Sequence, residues 1–274
     1  KELFLVTVDG RQNSSIGMTQ KEMAEFMLKI GAYNALNLDG GGSTTMVARK
    51  PGTNSLNIVN SPSDGSARIV STAIGVFSLA PPSKLSGLIV ETDDTNVFVG
   101  TSRRFTVRGY DRYFNPVEVD LSDVEWSVSG IEGKFKGNTL YPASVGEGKV
   151  TARVGNVSGS VNISSLSSPV ELILDVKDLR LALNQTASIG ITGKNKNGYS
   201  ALIYPEDAQW SVKGNIGEIS EGKFLAKASG TGYIDVSVGN THAYCAVSVG
   251  SGTMVTHDGF ESVNGTFMSY PQEV

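Results

Sequence analysis

Two aspartates, each followed by glycine, are the leading candidates for catalytic chemistry in the first eighty residues. Asp9-Gly10 and Asp39-Gly40 each close an apolar run. Residues 1–80 contain no His and no Cys, which excludes a Ser-His-Asp triad, a Cys nucleophile and a His-based zinc site from this segment. Acid and base chemistry therefore falls to carboxylates, and two carboxylates flanking the scissile bond are the usual requirement of glycoside hydrolysis.

A turn of three glycines follows Asp39. The run Gly40-Gly41-Gly42 has no Cβ atoms, so its amides can approach a bound oxygen closely and form an anion-binding nest. The turn is followed by Ser43 and Thr44 without a preceding lysine, so it is not a P-loop. A tight hairpin turn with no ligand is the alternative interpretation of the same residues.

Two arginines and an asparagine complete the candidate site. Arg11 and Arg68 carry guanidinium groups, whose fork of donors suits a phosphate, although a surface charge is an equally good interpretation of either arginine. Asn37 lies two residues before Asp39, so in a strand it shares the same face and reaches the same cleft. No metal or other cofactor is predicted.

A capped helix between two apolar runs is predicted to position these residues. Thr19 and Glu22 form a capping box, and apolar residues then recur at helical spacing until Gly31, which predicts a helix over 20–30. The apolar runs Leu3–Val8 and Asn34–Asp39 are predicted to be strands, which gives a right-handed βαβ crossover. Parallel strands bring both aspartates to one sheet edge, where ligands bind in open α/β sheets.

The other carboxylates of this segment are weaker candidates than Asp9 and Asp39. Glu22 is used in the helix cap and Glu25 fits the solvated face of the same helix. Asp9 and Asp39 are therefore preferred over the remaining carboxylates, which are Glu2, Glu22, Glu25 and Asp64.

The rest of the chain contains an internal repeat with an offset of 210 − 126 = 84 residues, set by Trp126 and Trp210. The copies show period-two alternation, Gly-Asn turns and one Trp each, which predicts two all-β sandwiches resembling bacterial immunoglobulin-like modules. We therefore predict an α+β partial catalytic domain, with its βαβ unit and further strands, followed by two immunoglobulin-like sandwiches. The predicted domains are 1–80, 83–167, 169–250 and the start of a further β-rich module at 251–274.

Composition narrows the classes of partner. The net charge is -4 with no basic stripe, so nucleic acid is not an expected partner. The single cysteine, Cys245, permits no intrachain disulfide and is predicted to be a small buried side chain. No apolar stretch is long enough to span a bilayer. The chain opens on a predicted strand, so we expect any secretion signal upstream of Lys1.

The order of these motifs resembles the end of the phosphodiester glycosidase domain. The resemblance rests on Val8–Arg11, Gly17–Thr19, Ala35–Met46 and the run from Val59 to Val76, and it covers residues 1 to about 79. It implies hydrolysis of the glycosidic bond in a sugar-1-phosphodiester. The site residues that it implies are Asp9, Arg11, Asn37, Asp39, Ser43, Thr44 and Arg68. We expect a direct role for Asp39, whereas Asp9 either shares the chemistry or positions a substrate hydroxyl.

The resemblance also implies a location and a limit on activity. Bacterial members with such modules behind the catalytic domain are typically exported, so we expect an extracellular or cell-envelope protein acting on wall or capsule polymers. The family's domain has a further stretch before the Asp9 strand, so a fragment starting at Lys1 is expected to be poorly active. The alternatives are a non-catalytic glycan-binding surface adhesin and a purely structural spacer.

Overall fold

The computed structural model describes residues 2–250, and most of the regular structure is β-sheet. The predicted β-rich module at 251–274 lies outside the described residues. Residues 2–82 contain one α-helix, α1 at Gln20–Lys29, a 3-10 turn at Gly41–Ser43, and two short strands, β1 at Val47–Arg49 and β2 at Leu56–Ile58. The two strands pair antiparallel, with Val47 opposite Ile58. Among the described residues, no helix is long and apolar enough to cross a membrane.

The capped helix is confirmed. The hydroxyl of Thr19 accepts from the amide of Glu22 at 3.3 Å, and the Glu22 carboxylate accepts from the Thr19 amide at 2.7 Å. These contacts satisfy donors at the helix start and lower the pKa of the Glu22 carboxyl, mainly through the backbone amide of Thr19. Gly31 follows the helix at φ 91°, a conformation that glycine adopts without steric cost.

The predicted βαβ crossover is wrong for the described chain. Neither Leu3–Val8 nor Asn34–Asp39 forms a strand. A strand needs a neighbouring ladder of backbone hydrogen bonds, and neither segment has such a partner among the described residues. The apolar side chains remain accessible, with Leu5 48% and Leu36 84% exposed. Asp9 and Asp39 therefore do not lie at a shared sheet edge in the described chain. Their relative positions depend on the contacts that each residue makes.

The first repeat is built from ten strands in three sheets. The four-stranded sheet has the order β4-β12-β11-β8, and the three-stranded sheets have the orders β5-β10-β9 and β3-β6-β7. The strands are β3 Leu85–Glu91, β4 Asn96–Phe98, β5 Arg103–Arg104, β6 Thr106–Asp111, β7 Pro116–Val117, β8 Glu125–Ser129, β9 Gly133–Lys136, β10 Thr139–Pro142, β11 Gly146–Val154 and β12 Val157–Leu166.

The second repeat has the same sheet topology. Its sheets have the orders β14-β22-β21-β18, β15-β20-β19 and β13-β16-β17. The strands are β13 Glu171–Leu174, β14 Asp178–Leu181, β15 Thr186–Ser188, β16 Ile191–Lys194, β17 Ser200–Ile203, β18 Gln209–Lys213, β19 Gly217–Ser220, β20 Lys223–Ala226, β21 Gly230–Val238 and β22 Thr241–Val249. β8 to β11 start 84 residues before β18 to β21 (209 − 125 = 84), so the sequence offset is also a structural one.

Each repeat has an alternating core. Val150 and Ala152 on β11 are buried, as are their equivalents Ile234 and Val236 on β21. Cys245 on β22 is fully buried, as predicted, and its burial raises the pKa of the thiol to about 12. These side chains make the interiors of the repeats apolar, which is the main source of their stability.

The two tryptophans are half-buried, not fully buried, as is common for so large a side chain. Trp126 packs against Phe105 and Phe135, with ring centroids 6.0 and 5.7 Å away. Trp210 packs on the second core and donates from Nε1 to the carbonyl of Pro205 at 2.8 Å. The buried Nε1 of Trp126 has no hydrogen-bond partner among residues 2–250.

By proximity of their backbones, the described residues divide into two compact units. The first comprises the described chain up to Gly87 and Arg108–Glu118, and the second comprises Leu88–Val107 and the described chain from Val119. The hairpin formed by β6 and β7 thus belongs mostly to the first unit.

The different hydrogen bonding of the Trp126 and Trp210 indoles predicts unequal effects of replacing each tryptophan with phenylalanine. Trp210→Phe removes the indole donor and leaves the Pro205 carbonyl without it, whereas Trp126→Phe removes a donor that has no partner. We expect Trp210→Phe to lower the free energy of unfolding by about 1 kcal/mol more than Trp126→Phe. Hydrogen exchange of strand amides in each repeat, with and without urea, measures both costs, and equal costs would contradict the assigned hydrogen bond.

Candidate functional site

The site is assembled from three loop segments: 9–12, 40–44 and 60–68. The first and third meet through Asp9 and Ser61: Asp9 Oδ1 accepts from the amide of Ser61 at 2.8 Å. Gln12 exchanges two hydrogen bonds with Ser61, one to its carbonyl at 2.6 Å and one from its hydroxyl at 3.0 Å. One oxygen of Asp9 is thus engaged within the protein. These contacts hold the first loop against the third.

The glycine turn meets the first loop at Arg11. Gly41 has φ 83°, and the carbonyl of Gly41 accepts from the amide of Thr44 at 3.1 Å, which closes the turn. A Cβ on Gly41 would lie 3.3 Å from Nη1 of Arg11, so the guanidinium lies directly on the turn. Arg11 itself has φ 56°, a conformation that costs energy for a residue with a side chain. Arg11 thus combines a strained backbone with a guanidinium that lies on the glycine turn.

The same turn meets the third loop at Gly42, which is buried. Asp64 and Arg68 form an ion pair, with Arg68 Nε 2.5 Å from Asp64 Oδ2. A Cβ on Gly42 would lie 2.3 Å from Asp64 Oδ1 and 2.6 Å from Arg68 Nη2. Real Cβ atoms do not approach so closely, so the ion pair occupies the space that any other residue would need.

Asn60 secures the far end of the turn. Its Nδ2 donates to the carbonyl of Thr44 at 3.0 Å, and its Oδ1 accepts from the amide of Met46 at 2.7 Å. The Oγ1 atom of Thr45, between these two residues, is buried and has no hydrogen-bond partner among residues 2–250. The turn is therefore anchored at both ends by side chains from other segments.

The structure brings some of the predicted site residues together and not others. Contacts join Asp9 to the third loop and place Arg11 and Arg68 on successive glycines of the turn. Asn37 and Asp39 are exposed, and their side chains make no hydrogen bond to another described residue. A Cβ on Gly40 would meet nothing within 4 Å. Ser43 and Thr44 are half-buried parts of the turn.

Sequence reasoning assigned no role to three residues that organise the site: Asn60, Ser61 and Asp64. The spacing of Asp64 and Arg68, four residues apart, was the available signal for an ion pair. The hydrogen bonds of Asn60 and Ser61 join segments up to 52 residues apart and have no local signature.

The site can bind an anion through its two arginines. The Nη groups of Arg11 and Arg68 make no hydrogen bond to another described residue, so they remain available as donors. Guanidinium forks beside exposed backbone amides suit a phosphate group. Within residues 2–250, no group of three His, Cys, Asp or Glu side chains is placed to hold a metal ion.

Comparison with known proteins places similarity to carbohydrate-active enzymes in this part of the chain. Residues 1–77 match the phosphodiester glycosidase family. Over 46 residues, 17% of this chain and 8% of the relative, the sequence is 54% identical to N-acetylglucosamine-1-phosphodiester alpha-N-acetylglucosaminidase of Bos taurus. The Homo sapiens protein of the same name is 52% identical over 46 residues.

A longer match is to a bacterial protein. The SPbeta prophage-derived uncharacterized protein YomE of Bacillus subtilis (strain 168) is 28% identical over 179 residues, which cover 62% of this chain and 25% of that protein. The chain thus spans a quarter or less of the length of these curated relatives.

Solved structures similar to the chain are bacterial surface proteins. The S-layer protein rSbsC has a TM-score of 0.29 at 15% identity, covering 63% of this chain and 29% of that chain. The Escherichia coli adhesin FdeC has a TM-score of 0.27 at 17% identity, covering 62% of this chain and 66% of that chain.

The close packing at Gly42 predicts that this glycine cannot be replaced without moving the ion pair. Gly42→Ala should displace Asp64 and Arg68 and lower the free energy of unfolding by about 1–3 kcal/mol, as overpacking usually does. Gly40→Ala is the matched control, because Gly40 has open space and φ -118°. The Arg68 Nε–H signal in NMR and chemical denaturation report both effects. Equal effects of the two substitutions would show that the ion pair does not lie on Gly42.

Proposed function

We propose that residues 1–80 contribute a hydrolase site that cleaves the glycosidic bond of a sugar-1-phosphodiester. The observation that carries this proposal is the placement of Arg11 and Arg68 on two successive glycines of the turn that follows Asp39. It combines anion donors from two segments with a turn that directly follows a carboxylate in the sequence. The match of residues 1–77 to the phosphodiester glycosidase family supports the same chemistry.

The arginines would bind the phosphodiester. This group stays anionic throughout the reaction, so fixed guanidinium and amide dipoles stabilise it without a proton transfer. Arg68 is held by Asp64 through Nε, which leaves its Nη donors for the substrate. Arg11 contacts the turn from a different segment, so the phosphate would be contacted by guanidinium groups at both Gly41 and Gly42.

The carboxylates would act at the sugar. In the reaction, the bond between the anomeric carbon and the phosphate oxygen breaks, water adds its oxygen to that carbon, and the phosphate leaves as a monoester. Asp39 makes no hydrogen bond to another residue of the described chain and is assigned the direct role in this step. Asp9 has one oxygen committed to Ser61, which favours positioning a substrate hydroxyl with the other.

The two repeats are proposed to be immunoglobulin-like spacers, with domain boundaries near 82 and 168. Their matching sheet topologies support assignment to one module type.

The protein is proposed to act outside the cell or at its envelope. The names of the curated mammalian relatives support N-acetylglucosamine-1-phosphodiesters as the first substrates to test. A wall or capsule polymer with such linkages would be the natural substrate class.

The catalytic assignment predicts a large effect of a small change at Asp39. In the full-length protein, Asp39→Asn should lower kcat for a sugar-1-phosphodiester about 10²–10⁴-fold, the usual contribution of a carboxyl acid or base. Glu25→Gln, on the exposed face of α1, is the control and should leave kcat unchanged. Release of reducing sugar measures turnover.

Other outcomes separate the competing functions. Glycan binding without turnover by the unsubstituted protein, unchanged by Asp39→Asn, would contradict the enzyme and support the adhesin. Neither binding nor turnover would leave only the spacer.

A further inference from the structure

A glycine on the central strand of one sheet occupies the same place in both repeats. Gly109 on β6 and Gly193 on β16 differ by 193 − 109 = 84 residues, the repeat offset. We call residues 109–119 and 193–203, which contain this glycine and the following hairpin, the hairpin sockets. In each repeat, the chain that precedes the socket packs against its glycine.

The two sockets share one turn structure. Asp111 accepts hydrogen bonds from the amides of Tyr113 and Asn115 at 2.8 and 2.9 Å. At the equivalent position, Asn195 accepts from the amides of the residues two and four positions later, both at 3.0 Å. A side chain thus fixes each hairpin in the same way, and the surface beside the glycine is preformed in both repeats.

In the second repeat, the socket glycine is covered by Phe98 of the first repeat. A Cβ on Gly193 would lie 2.4 Å from Cε2 of Phe98. Phe98 is fully buried and belongs to the same apolar cluster as Ile191 and Ile203. A residue of the first repeat therefore completes the core of the second.

Polar contacts surround Phe98 at this contact between the repeats. Asp94 Oδ2 accepts from the amide of Leu202 at 2.8 Å, and Asn96 Nδ2 donates to the carbonyl of Ser200 at 2.9 Å. Beyond the socket, Asp207 Oδ2 accepts from the amide and the hydroxyl of Ser102, at 2.7 and 2.8 Å.

Arg103 is the centre of the contact. Its guanidinium is fully buried and donates to Asp93 Oδ1 at 2.9 Å, to the Asn96 carbonyl at 2.9 Å and to the Leu202 carbonyl at 2.6 Å. Its Cζ also lies 4.9 Å from the ring centroid of Tyr204, whose hydroxyl donates to Asp93. A buried charge needs all of these partners, so the contact is intolerant of a changed orientation.

In the first repeat, the backbone carbonyl of the socket glycine is contacted by the turn between β1 and β2. A Cβ on Gly52 would lie 2.8 Å from the carbonyl oxygen of Gly109. The Gly52 amide donates to the Phe114 carbonyl at 3.3 Å, and Arg49 Nη2 donates to Asn115 Oδ1 at 3.4 Å.

The contact at Phe114 is made at a cost in backbone energy. Phe114 has φ 63°, and its equivalent in the second repeat is Gly198 at φ 87°. A bulky residue in this conformation is uncommon, so the hairpin geometry is imposed despite the strain.

We propose that the hairpin socket is a docking surface with which each repeat holds part of the domain that precedes it in the chain. The partner of the first socket is the β1–β2 turn of the site-bearing segment, and the partner of the second is the plug of the first repeat, Asp93–Arg103. The plug itself is not repeated. The second repeat carries Ala182 and Ala187 where the first has Phe98 and Arg103. The two repeats are therefore held in one orientation by a directional joint, which goes beyond the spacer role proposed above.

The distance between spin labels on the two repeats tests the joint in the full chain. Ser158→Cys and Lys223→Cys provide exposed label sites, and Cys245 stays unlabelled because it is buried. The double substitution Asp94→Ala with Asp207→Ala removes polar contacts across the joint. The control is Asp178→Ala with Asp123→Ala, which changes the same residue type at the equivalent position of the other repeat.

A locked joint predicts a narrow distance distribution that at least doubles in width with Asp94→Ala and Asp207→Ala and stays narrow in the control. Arg103→Met, which keeps the apolar stem, should also broaden it. A broad distribution in the unsubstituted chain, equal broadening in the control, or an unchanged width in both joint variants would overturn the proposal.

Amide hydrogen exchange tests the first socket separately. The Gly52 amide is bonded to Phe114, whereas the Gly40 amide makes no backbone hydrogen bond within residues 2–250. Gly52 should exchange at least tenfold more slowly than Gly40. Equal rates at the two glycines would contradict docking of the β1–β2 turn.

Discussion

The close contact between the backbone at Gly42 and the ion pair of Asp64 and Arg68 is the constraint on which the candidate site depends. The carboxylate and guanidinium occupy the volume that a Cβ would fill, so the third loop can lie on the turn only if this residue is glycine. Gly41 allows Arg11 the same approach from the first loop. Two arginines therefore converge on one turn although regular strands do not position them.

Local signals predicted local structure well, and non-local pairing was the part that failed. The capping box at Thr19 and the 84-residue offset depend on patterns within one element or one repeat, and both are present in the structure. Leu3–Val8 and Asn34–Asp39 have the apolar character of strands, but a strand also requires a partner, which local sequence does not specify. The contact between Asp9 and Ser61 spans 52 residues and has no sequence signature.

The two repeats show how one architecture can carry different contacts. Sheet order, core alternation and the socket glycines Gly109 and Gly193 are common to both. The groups that contact the sockets differ: Gly52 and Arg49 contact the first, and Phe98 and Arg103 contact the second. In the proposed docking, the shared topology sets where the preceding domain is contacted, and the residues of that domain set how firmly it is held.

The proposed hydrolase site would break the bond between the anomeric carbon and the phosphate oxygen, not the bond between that oxygen and phosphorus. Hydrolysis of N-acetylglucosamine-1-phosphodiester by the full-length protein in water enriched in oxygen-18, followed by mass spectrometry of both products, tests it most directly. The products must be separated early and compared with an enzyme-free control, because reducing sugars slowly exchange oxygen with water. Cleavage at the anomeric carbon would place the heavy oxygen on the released sugar and none on the phosphate monoester. Heavy oxygen on the phosphate would mean cleavage at phosphorus and would contradict a glycosidase.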